Sequence, residues 1–482
     1  MKELVYNELY KISHKKITWF FVIFLILQYF FNVVFIKVND KNMENVDKYR
    51  VEEIVKKHNS LGEKVKKDLE LYVSERTEID AYELYKHYDR LSWQRYLIDT
   101  DVMKYIACMN NAKFIKNSDD DYQNCKNELD KFMYKVNHST WEDFVYEYQD
   151  EATNNYIKLK EVYDNAKTEE EKKDAEISMK SVQLELDGYK YHLNNKIPID
   201  YSDDSVMIDN YVTWATGYLS EELDESKYKE YFLLLEKRKM ENNMFTSKYR
   251  IEHNYHDISP NTAIGLFIDY TCKTINVIVL IYMIVVGGNL IADEYGKGTI
   301  KLLLVRPYKR TKILLSKYIA TIISTLMFFL LFIVIAFLSC GIAKGFGSYS
   351  YPVVVYDFSV QAVKEINLVS YLLINVISFV PLFLILLALT MFLGVFIKNE
   401  AMTVGIPIIV YIVSSFLNYS SSVKIMKYFP TLCWNIHEFL WGGLPTYKGL
   451  TFGTSIVVCL ATIIILVWGS LSVFKSRDIK NQ

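Results

Sequence analysis

One stretch of the chain carries residue types that bind phosphates in other proteins. Gly296, Lys297, Gly298 and Thr299 imitate the end of a nucleotide-binding P-loop. That motif needs an earlier glycine where Ile291 stands, and no strand precedes it. We therefore do not expect this chain to hydrolyse nucleotides, and any ATP-driven step would need another subunit.

Two histidine patterns are candidates for metal binding. His437 and Glu438 open a zinc-protease motif, but Trp441 replaces its second histidine. His253 and His256 lie one helical turn apart and could hold a metal ion, although ordinary polar residues at an interface are the favoured interpretation. The sequence therefore assigns no catalytic residue, no cofactor and no metal site.

The six cysteines also lack the spacing of metal ligands. Four of them lie in or beside apolar runs and are interpreted as small packed residues. Cys108 and Cys125 lie in a polar region and could form a disulfide if that region is extracytoplasmic; two free thiols are the alternative.

The elements that must position these residues fall into two environments. The chain has 482 residues and a net charge of −2, which gives no case for nucleic-acid binding. Charged residues are dense from Lys37 to Asp257 and sparse afterwards. We expect an all-α membrane protein with an interfacial helix and first span in residues 1–36, a helical extracytoplasmic domain in 37–262, and further spans in 263–482. The abundance of Lys, Asn, Tyr and Ile is typical of an AT-rich bacterial genome.

Six apolar runs are long enough to be transmembrane helices. The first is interpreted as an uncleaved anchor, since no small-residue cleavage site follows it. Before it, residues 1–17 are either an interfacial amphipathic helix or a plain basic flank. Residues 431–444 are apolar but too short to cross, and they predict a re-entrant or interfacial helix pair. The predicted spans are Thr18–Ile36, Phe267–Ile291, Tyr318–Cys340, Leu368–Ile397, Ala401–Leu417 and Phe452–Phe474.

The distribution of Lys and Arg in the short loops predicts the orientation. Basic residues are denser in the N-terminal segment, the loop 292–317 and the C-terminal tail than in the loops 341–367 and 418–451. The positive-inside rule then places both termini in the cytoplasm, and the protein in the cytoplasmic membrane. The long polar segment after the first span would lie outside.

The polar segment has the pattern of a helical hairpin. Apolar residues repeat at alternating spacings of four and three on two adjacent stretches, which is typical of a coiled-coil seam. Thr168 and Glu171 make a capping box that starts the second helix. Several Tyr and Trp residues supply aromatic bulk for further helices, and packing is favoured over a substrate-contact role for them. The seam residues are Ala152, Tyr156, Leu159, Tyr163 and Ala166 on the first stretch, and Ala175, Met179, Val182, Leu186, Tyr189 and Leu193 on the second.

A compact charged segment from Asp293 to Lys317 joins the predicted second and third spans. Thr299–Val305 within it is predicted to be a short helix, which Gly298 precedes and Pro307 ends, since proline cannot continue a helix. A rigid helix at the mouth of a membrane bundle suits contact with a soluble partner.

This segment resembles the cytoplasmic signature of ABC-2-type transporter permeases. The resemblance rests on an acidic pair, a Gly-Thr, a leucine, a proline, an arginine and a lysine at the following span, and it extends to the order of the spans. It does not cover the details of residues 37–262. The matching positions are Asp293, Glu294, Gly298, Thr299, Leu303, Pro307, Arg310 and Lys317.

The resemblance implies the membrane subunit of an ABC exporter. The implied partners are an ABC ATPase subunit, a second permease chain that is identical or related, membrane lipid, and an exported substrate of unknown identity. The alternative is a membrane receptor or immunity protein that binds a peptide or lipid without transporting it, and a co-purifying ATPase would separate the two. The residues expected to couple ATP hydrolysis to transport are Glu294, Gly298, Thr299, Leu302, Leu303, Pro307 and Arg310, although Glu294 and Arg310 could instead form a simple interfacial ion pair.

Overall fold

The computed structural model describes residues 1–43, 50–56, 69–223, 231–256, 258–273, 276–296, 308–397, 399–417 and 427–476. The chain forms two compact units. One unit, the membrane unit, combines residues 1–34 with 258–482, and the other, the helical unit, comprises residues 35–257.

Almost all of the regular structure is helical. The helices, in chain order, are α1 (Lys2–His14), α2 (Lys16–Met43), α3 (Leu69–Tyr85), α4 (Trp93–Leu97), α5 (Met103–Asn111), α6 (Asp119–His138), α7 (Trp141–Asn165), α8 (Glu169–Asn195), α9 (Asp203–Leu223), α10 (Tyr231–Glu252), α11 (Ala263–Ile268), α12 (Asn276–Gly296), α13 (Arg310–Lys344), α14 (Leu368–Ile397), α15 (Glu400–Leu417), α16 (Pro430–Cys433) and α17 (Phe452–Ser476). Tighter or wider turns flank some of them: π turns at Ile98–Val102, Ala112–Lys116 and Asp269–Lys273, and 3-10 turns at Gly347–Ser350 and Ile436–Gly442.

Five helical segments among the described residues are long and apolar enough to cross a membrane, so the chain is a multi-pass membrane protein. A sixth predicted span corresponds to the shorter apolar helix Glu400–Ser414. The five segments are Lys16–Asn39, Ala263–Tyr295, Arg310–Lys344, Leu368–Ile397 and Phe452–Ser476.

Two predicted spans differ from the observed helices. The second was predicted as one helix from Phe267 to Ile291, but α11, the Asp269–Lys273 π turn and α12 build it together. The third was predicted to begin at Tyr318 with Lys317 opening it. Instead α13 begins at Arg310, so Lys317 lies two turns inside a helix. Basic residues in the first turns concealed this earlier start.

An aromatic stripe anchors α2 to the rest of the membrane unit. Phe21, Leu25 and Tyr29 follow one another at intervals of four and are buried, while the other face of α2 exposes its large apolar residues. The Phe21 ring meets the Tyr282 ring edge-on at 5.5 Å, and Tyr282 stacks on Phe328 at 4.2 Å. The exposed face has the composition of a lipid contact.

Two glycines of α12 allow close helix packing in this unit. A Cβ on Gly287 would lie 3.3 Å from Leu387 Cδ1, and one on Gly288 would lie 2.9 Å from Val404 Cγ2. The two glycines therefore let α12 approach α14 and α15 closely, which is how small residues act in membrane helices.

A β-hairpin lies in the loop between α13 and α14, where the sequence analysis expected only an outer loop. Strands β1 (Val353–Asp357) and β2 (Ala362–Ile366) pair antiparallel, with Val353 opposite Ile366. All of β1 is buried, and Phe358 N donates to the carbonyl of Trp441 in the 3-10 segment. The predicted helix pair in residues 431–444 is present only as α16 and this 3-10 turn.

In the helical unit, α7 and α8 form the predicted hairpin. Thr168 Oγ1 accepts a hydrogen bond from Glu171 N at 3.1 Å, and Glu171 Oε2 accepts one from Thr168 N at 3.1 Å. The capping box is therefore confirmed. The predicted seam residues are buried or half-buried, and Ala152, Ala175 and Val182 are among the most buried.

Three apolar clusters build the rest of this unit. Many of the Tyr and Trp residues of this unit pack in these clusters, whereas Tyr146 of α7 is 56% exposed. Cys108 and Cys125 form a disulfide that joins α5 to α6. Of the two alternatives for this pair, the structure has the bonded one.

Candidate functional site

Helix α1 packs against the membrane unit through one face of its sequence. Leu4, Glu8 and Ile12 are spaced by four residues and are all buried. A carboxylate therefore stands between two apolar residues on the packed face, where it needs partners in order to remain charged.

The partners of Glu8 form a closed arrangement of four charges, which we call the ion ring. Glu8 Oε1 lies 3.0 Å from Lys11 Nζ, and Glu8 Oε2 lies 3.1 Å from Lys317 Nζ. Glu294 Oε1 closes the ring, at 3.0 Å from Lys11 Nζ and 2.7 Å from Lys317 Nζ. The two carboxylates and two ammonium groups balance, so the ring adds no net charge to an apolar unit.

Lys317 is the centre of the ion ring. Its side chain is 1% exposed, and its third proton is donated to the carbonyl of Leu290 at 2.9 Å. An ammonium group has three donors, and here each meets an oxygen. This satisfies the condition under which a buried lysine can stay charged.

The ring joins three elements: α1, the end of α12 and the first turns of α13. A neighbouring pair strengthens the same junction, since Lys15 Nζ lies 2.6 Å from Asp293 Oδ2 and donates to the carbonyl of Asn289 at 3.2 Å. The helices α12 and α13 flank residues 297–307. The two helix ends next to that segment in sequence are therefore both tied to α1.

Burial and charge oppose each other at the two ring residues of α1. Burial alone would raise the pKa of Glu8, but the ammonium groups of Lys317 and Lys11 outweigh it and hold the pKa below its ordinary value. Burial likewise would lower the pKa of Lys11, but Glu294 and Glu8 raise it. Both groups therefore stay charged through the neutral range.

The last helix ends at the same place. Arg310 Nη1, at the start of α13, donates to the carbonyl of Lys475 near the end of α17 at 3.2 Å. Tyr308 Oη is 3.4 Å from Glu3 Oε2 of α1. The helices α1, α12, α13 and α17 thus meet at one end of the membrane unit, and the β-hairpin lies at the opposite end of α13.

The predicted coupling residues fall partly within this arrangement. Glu294 is in the ion ring, and Arg310 begins α13 and donates to the carbonyl of Lys475. Gly298, Thr299, Leu302, Leu303 and Pro307 lie outside the described residues, as does the predicted helix Thr299–Val305.

Glu8 is the residue of this site that the sequence analysis missed. Its partner Lys317 is 309 positions away, so no local pattern could join them. The one available signal was its position between Leu4 and Ile12 on the apolar face of an amphipathic helix. Lys317 is also a buried charge inside α13, one of the helices long and apolar enough to cross a membrane.

The candidate metal residues do not come together. No group of three His, Cys, Asp or Glu side chains within the described ranges could hold a metal ion. His256 Nδ1 lies 2.8 Å from Asp204 Oδ2, and His253 Nδ1 bonds the carbonyl of Tyr249. Glu438 instead accepts hydrogen bonds from the backbone N and the hydroxyl of Thr446, at 2.7 and 2.8 Å.

The fold and the site define a multi-pass helical membrane protein whose first helix is held by buried charges to the ends of two spans. Residues 235–480, about half of the chain, match the family described as "Protein of unknown function (DUF2705)", and the chain belongs to that family. The match includes the α12 and α13 members of the ion ring and not α1.

One relative is also similar. The Bacillus subtilis (strain 168) "Uncharacterized protein YhcI" is 27% identical over 237 residues, which cover 48% of this chain and 74% of the relative. No solved structure matches the chain.

Proposed function

We propose that this chain is the membrane subunit of an ABC exporter, which moves a substrate out of the cell with ATP hydrolysed by a separate subunit. The observation that carries the proposal is the charged segment between α12 and α13, whose residues resemble the ATPase-contacting loop of ABC-2-type permeases. A chain without a complete P-loop needs such a partner to use ATP.

The ion ring supports this proposal mechanically. A force applied to residues 297–307 reaches Glu294 at the end of α12 and Lys317 near the start of α13. Both residues hold α1 through Glu8 and Lys11. In this mechanism the three helix ends move as one body when the ATPase subunits close, and a second permease chain completes the export path.

The proposed orientation follows from the loop charges. The end of the membrane unit with α1, the charged segment and the end of α17 is cytoplasmic, in the cytoplasmic membrane, and the helical unit is extracytoplasmic. The Cys108–Cys125 disulfide supports that side for the helical unit, because disulfides persist in oxidising compartments. The short α15 is the sixth span, and the α7–α8 seam packs as a coiled coil.

The test is purification of the tagged full-length chain from the cells that make it. We expect a P-loop ATPase to co-purify, and ATP hydrolysis to follow the complex into lipid vesicles. Gly298→Val should leave the chain inserted in the membrane but remove the ATPase and its activity, because glycine permits backbone conformations and close contacts that a valine side chain excludes.

A matched glycine provides the control. Gly347 lies beyond the far end of α13, and a Cβ there would meet nothing within 4 Å. Gly347→Val should therefore keep the ATPase and its activity. An inserted parent chain that binds no ATPase would contradict the proposal and favour the receptor or immunity protein. Glu294→Ala is a poorer probe, because it also breaks the ion ring.

A further inference from the structure

We infer that the helical unit has a binding site for an organic cation that carries N–H donors, namely a primary ammonium group such as that of a lysine side chain. This inference concerns the helical unit alone and does not rest on the exporter proposal. The site is a cavity of about 510 Å³, which we call the acidic cavity. Its polar and aromatic lining residues are Tyr96, Asp101, Tyr148, Glu185, Tyr189, His192 and Asp209.

Several helices form the cavity, so its shape is built into the fold. The chain that follows α4 contributes one wall, α7 another, and α8 and α9 the rest. Gly188 lets α8 and α9 approach each other closely, because a Cβ on this residue would lie 2.7 Å from Val212 Cγ2 of α9. Pockets between packed helices are common places for small ligands.

The charge of the cavity is negative. Asp101 is already engaged, since it accepts a hydrogen bond from the Tyr148 hydroxyl and lies 2.8 Å from Lys104 Nζ. Glu185 and Asp209 differ from it: no lysine or arginine pairs with either in the part of the chain that the structure describes. Two carboxylates are therefore available to a cation from outside.

The aromatic walls suit the same ligand. Tyr148 and Tyr189 stack with their ring centres 5.9 Å apart. Burial and the nearby carboxylates, Glu185 first among them, raise the pKa of Tyr189 to about 12, so its ring stays neutral. Neutral tyrosine faces beside carboxylates attract ammonium groups.

His192 points to a ligand with N–H donors. It is 2% exposed, and its Nδ1 lies 3.0 Å from the carbonyl of Ile197. A carbonyl only accepts, so Nδ1 carries a proton, and in the neutral form of the ring Nε2 then presents a lone pair. That nitrogen lies 3.9 Å from Asp209 Oδ1, too far for a direct hydrogen bond. A donor group placed between the two acceptors would satisfy both.

Metal ions and quaternary amines fit these features less well. The described His, Cys, Asp and Glu side chains do not converge as metal ligands, and the cavity is far larger than one ion. A quaternary ammonium has no N–H to give to His192 or Asp209. A primary ammonium uses the tyrosine faces, the carboxylates and the histidine together.

The test uses the full-length chain in uncharged detergent, with binding followed by saturation-transfer NMR of the ligand. The probes are cadaverine, a lysine flanked by two glycines in a tripeptide, tetramethylammonium, and the tripeptide with norleucine in place of lysine. We expect both primary amines to bind below about 10 mM and more tightly than the other two. Comparing the affinities of cadaverine and the lysine tripeptide shows whether the site prefers a free amine or a peptide side chain.

Single-charge variants locate the site. The Asp209 side chain is 48% exposed and Glu185 is also exposed, so Asp209→Asn and Glu185→Gln should fold normally. Each should weaken amine binding by about tenfold. Asp164→Asn, the same change at an exposed position of α7 outside the cavity, should leave binding unchanged.

The inference is overturned by any of three results. The first is no amine binding up to about 10 mM. The second is equal binding of the amines and the norleucine tripeptide or tetramethylammonium. The third is unchanged binding in both Asp209→Asn and Glu185→Gln, with circular dichroism showing that each variant is folded.

Discussion

The ion ring and the acidic cavity place charged residues among helices in opposite ways. In the ring, two carboxylates and two ammonium groups balance, and Lys317 is almost completely buried, with three oxygens within 3.1 Å of its Nζ. In the cavity, carboxylates outnumber cations among the described residues, and Asp209 is half exposed, with His192 Nε2 3.9 Å from its Oδ1. Buried charges that are paired with one another hold helices together, whereas exposed carboxylates without a paired lysine or arginine can bind a ligand.

This difference also separates the expected roles. A buried pair contributes little net stability compared with apolar residues of the same size, but removing one partner is costly. The ring is therefore an arrangement that fixes the position of α1 against α12 and α13. The cavity, whose carboxylates already contact water, can lose a charge without harm to the fold.

Breaking the ring at its centre should give the largest effect on stability. Lys317→Met replaces lysine with an uncharged, unbranched side chain one atom shorter and leaves Glu8, Glu294 and the Leu290 carbonyl without the donor that they share. We expect the free energy of unfolding to fall by about 3–5 kcal/mol, as when one partner of a buried pair is removed. Thermal unfolding in detergent, followed by circular dichroism, measures it.

The control for this variant is Lys312→Met, one and a half turns earlier on the exposed side of α13. It should change the unfolding temperature little. Equal losses in the two variants would mean that the ring has no special role.

Removing the charge of Glu8 should have a smaller, pH-dependent effect. Because the pKa of Glu8 in the folded chain is held below its ordinary value, its contribution is present above the unfolded pKa and is lost as the pH falls through the folded one. The difference in stability between the parent and Glu8→Gln should therefore be constant near neutral pH and shrink in acid.

At alkaline pH the contribution of the ring to stability changes with pH in the opposite direction, through Lys11. Lys11 has a raised pKa, so its contribution is complete below the unfolded value and is lost as the pH rises through the folded one. Unfolding temperatures of the parent and of Lys11→Met across this range measure the effect. A difference that changes between pH values near neutrality would contradict a ring that stays charged.

Single helices could be predicted from the sequence more readily than contacts between distant residues. The length of the apolar run predicted the observed bounds of α14, Leu368–Ile397, and the capping box of Thr168 and Glu171 predicted the start of α8. These signals are local, so a window of the chain contains them. The ion ring depends on Glu8 and Lys317, which only the folded chain brings together.

The β-hairpin was missed for another reason. Val353, Val354 and Val355 form a β-branched run that favours a strand. The loop was predicted from its length between two spans, without regard to this strand propensity. No sequence pattern predicted the acidic cavity, because its tyrosines follow the same spacing as core residues. What distinguishes the cavity from a packed core is the 3.9 Å separation of His192 and Asp209, which only the folded chain shows.

The smallest expected effect is the change in stability caused by Asp209→Asn. It tests the comparison of the ion ring with the acidic cavity by removing a charge from the cavity. This variant removes one charge from a carboxylate that is half exposed and lies 3.9 Å from its nearest basic nitrogen. The free energy of unfolding should change by less than about 0.5 kcal/mol, as for most surface substitutions. The same thermal unfolding measurement should therefore show a large loss for Lys317→Met and almost none here. A loss comparable to that of Lys317→Met would mean that Asp209 holds the helical unit together, and the cavity would then be a structural feature and not a site kept open for a cation.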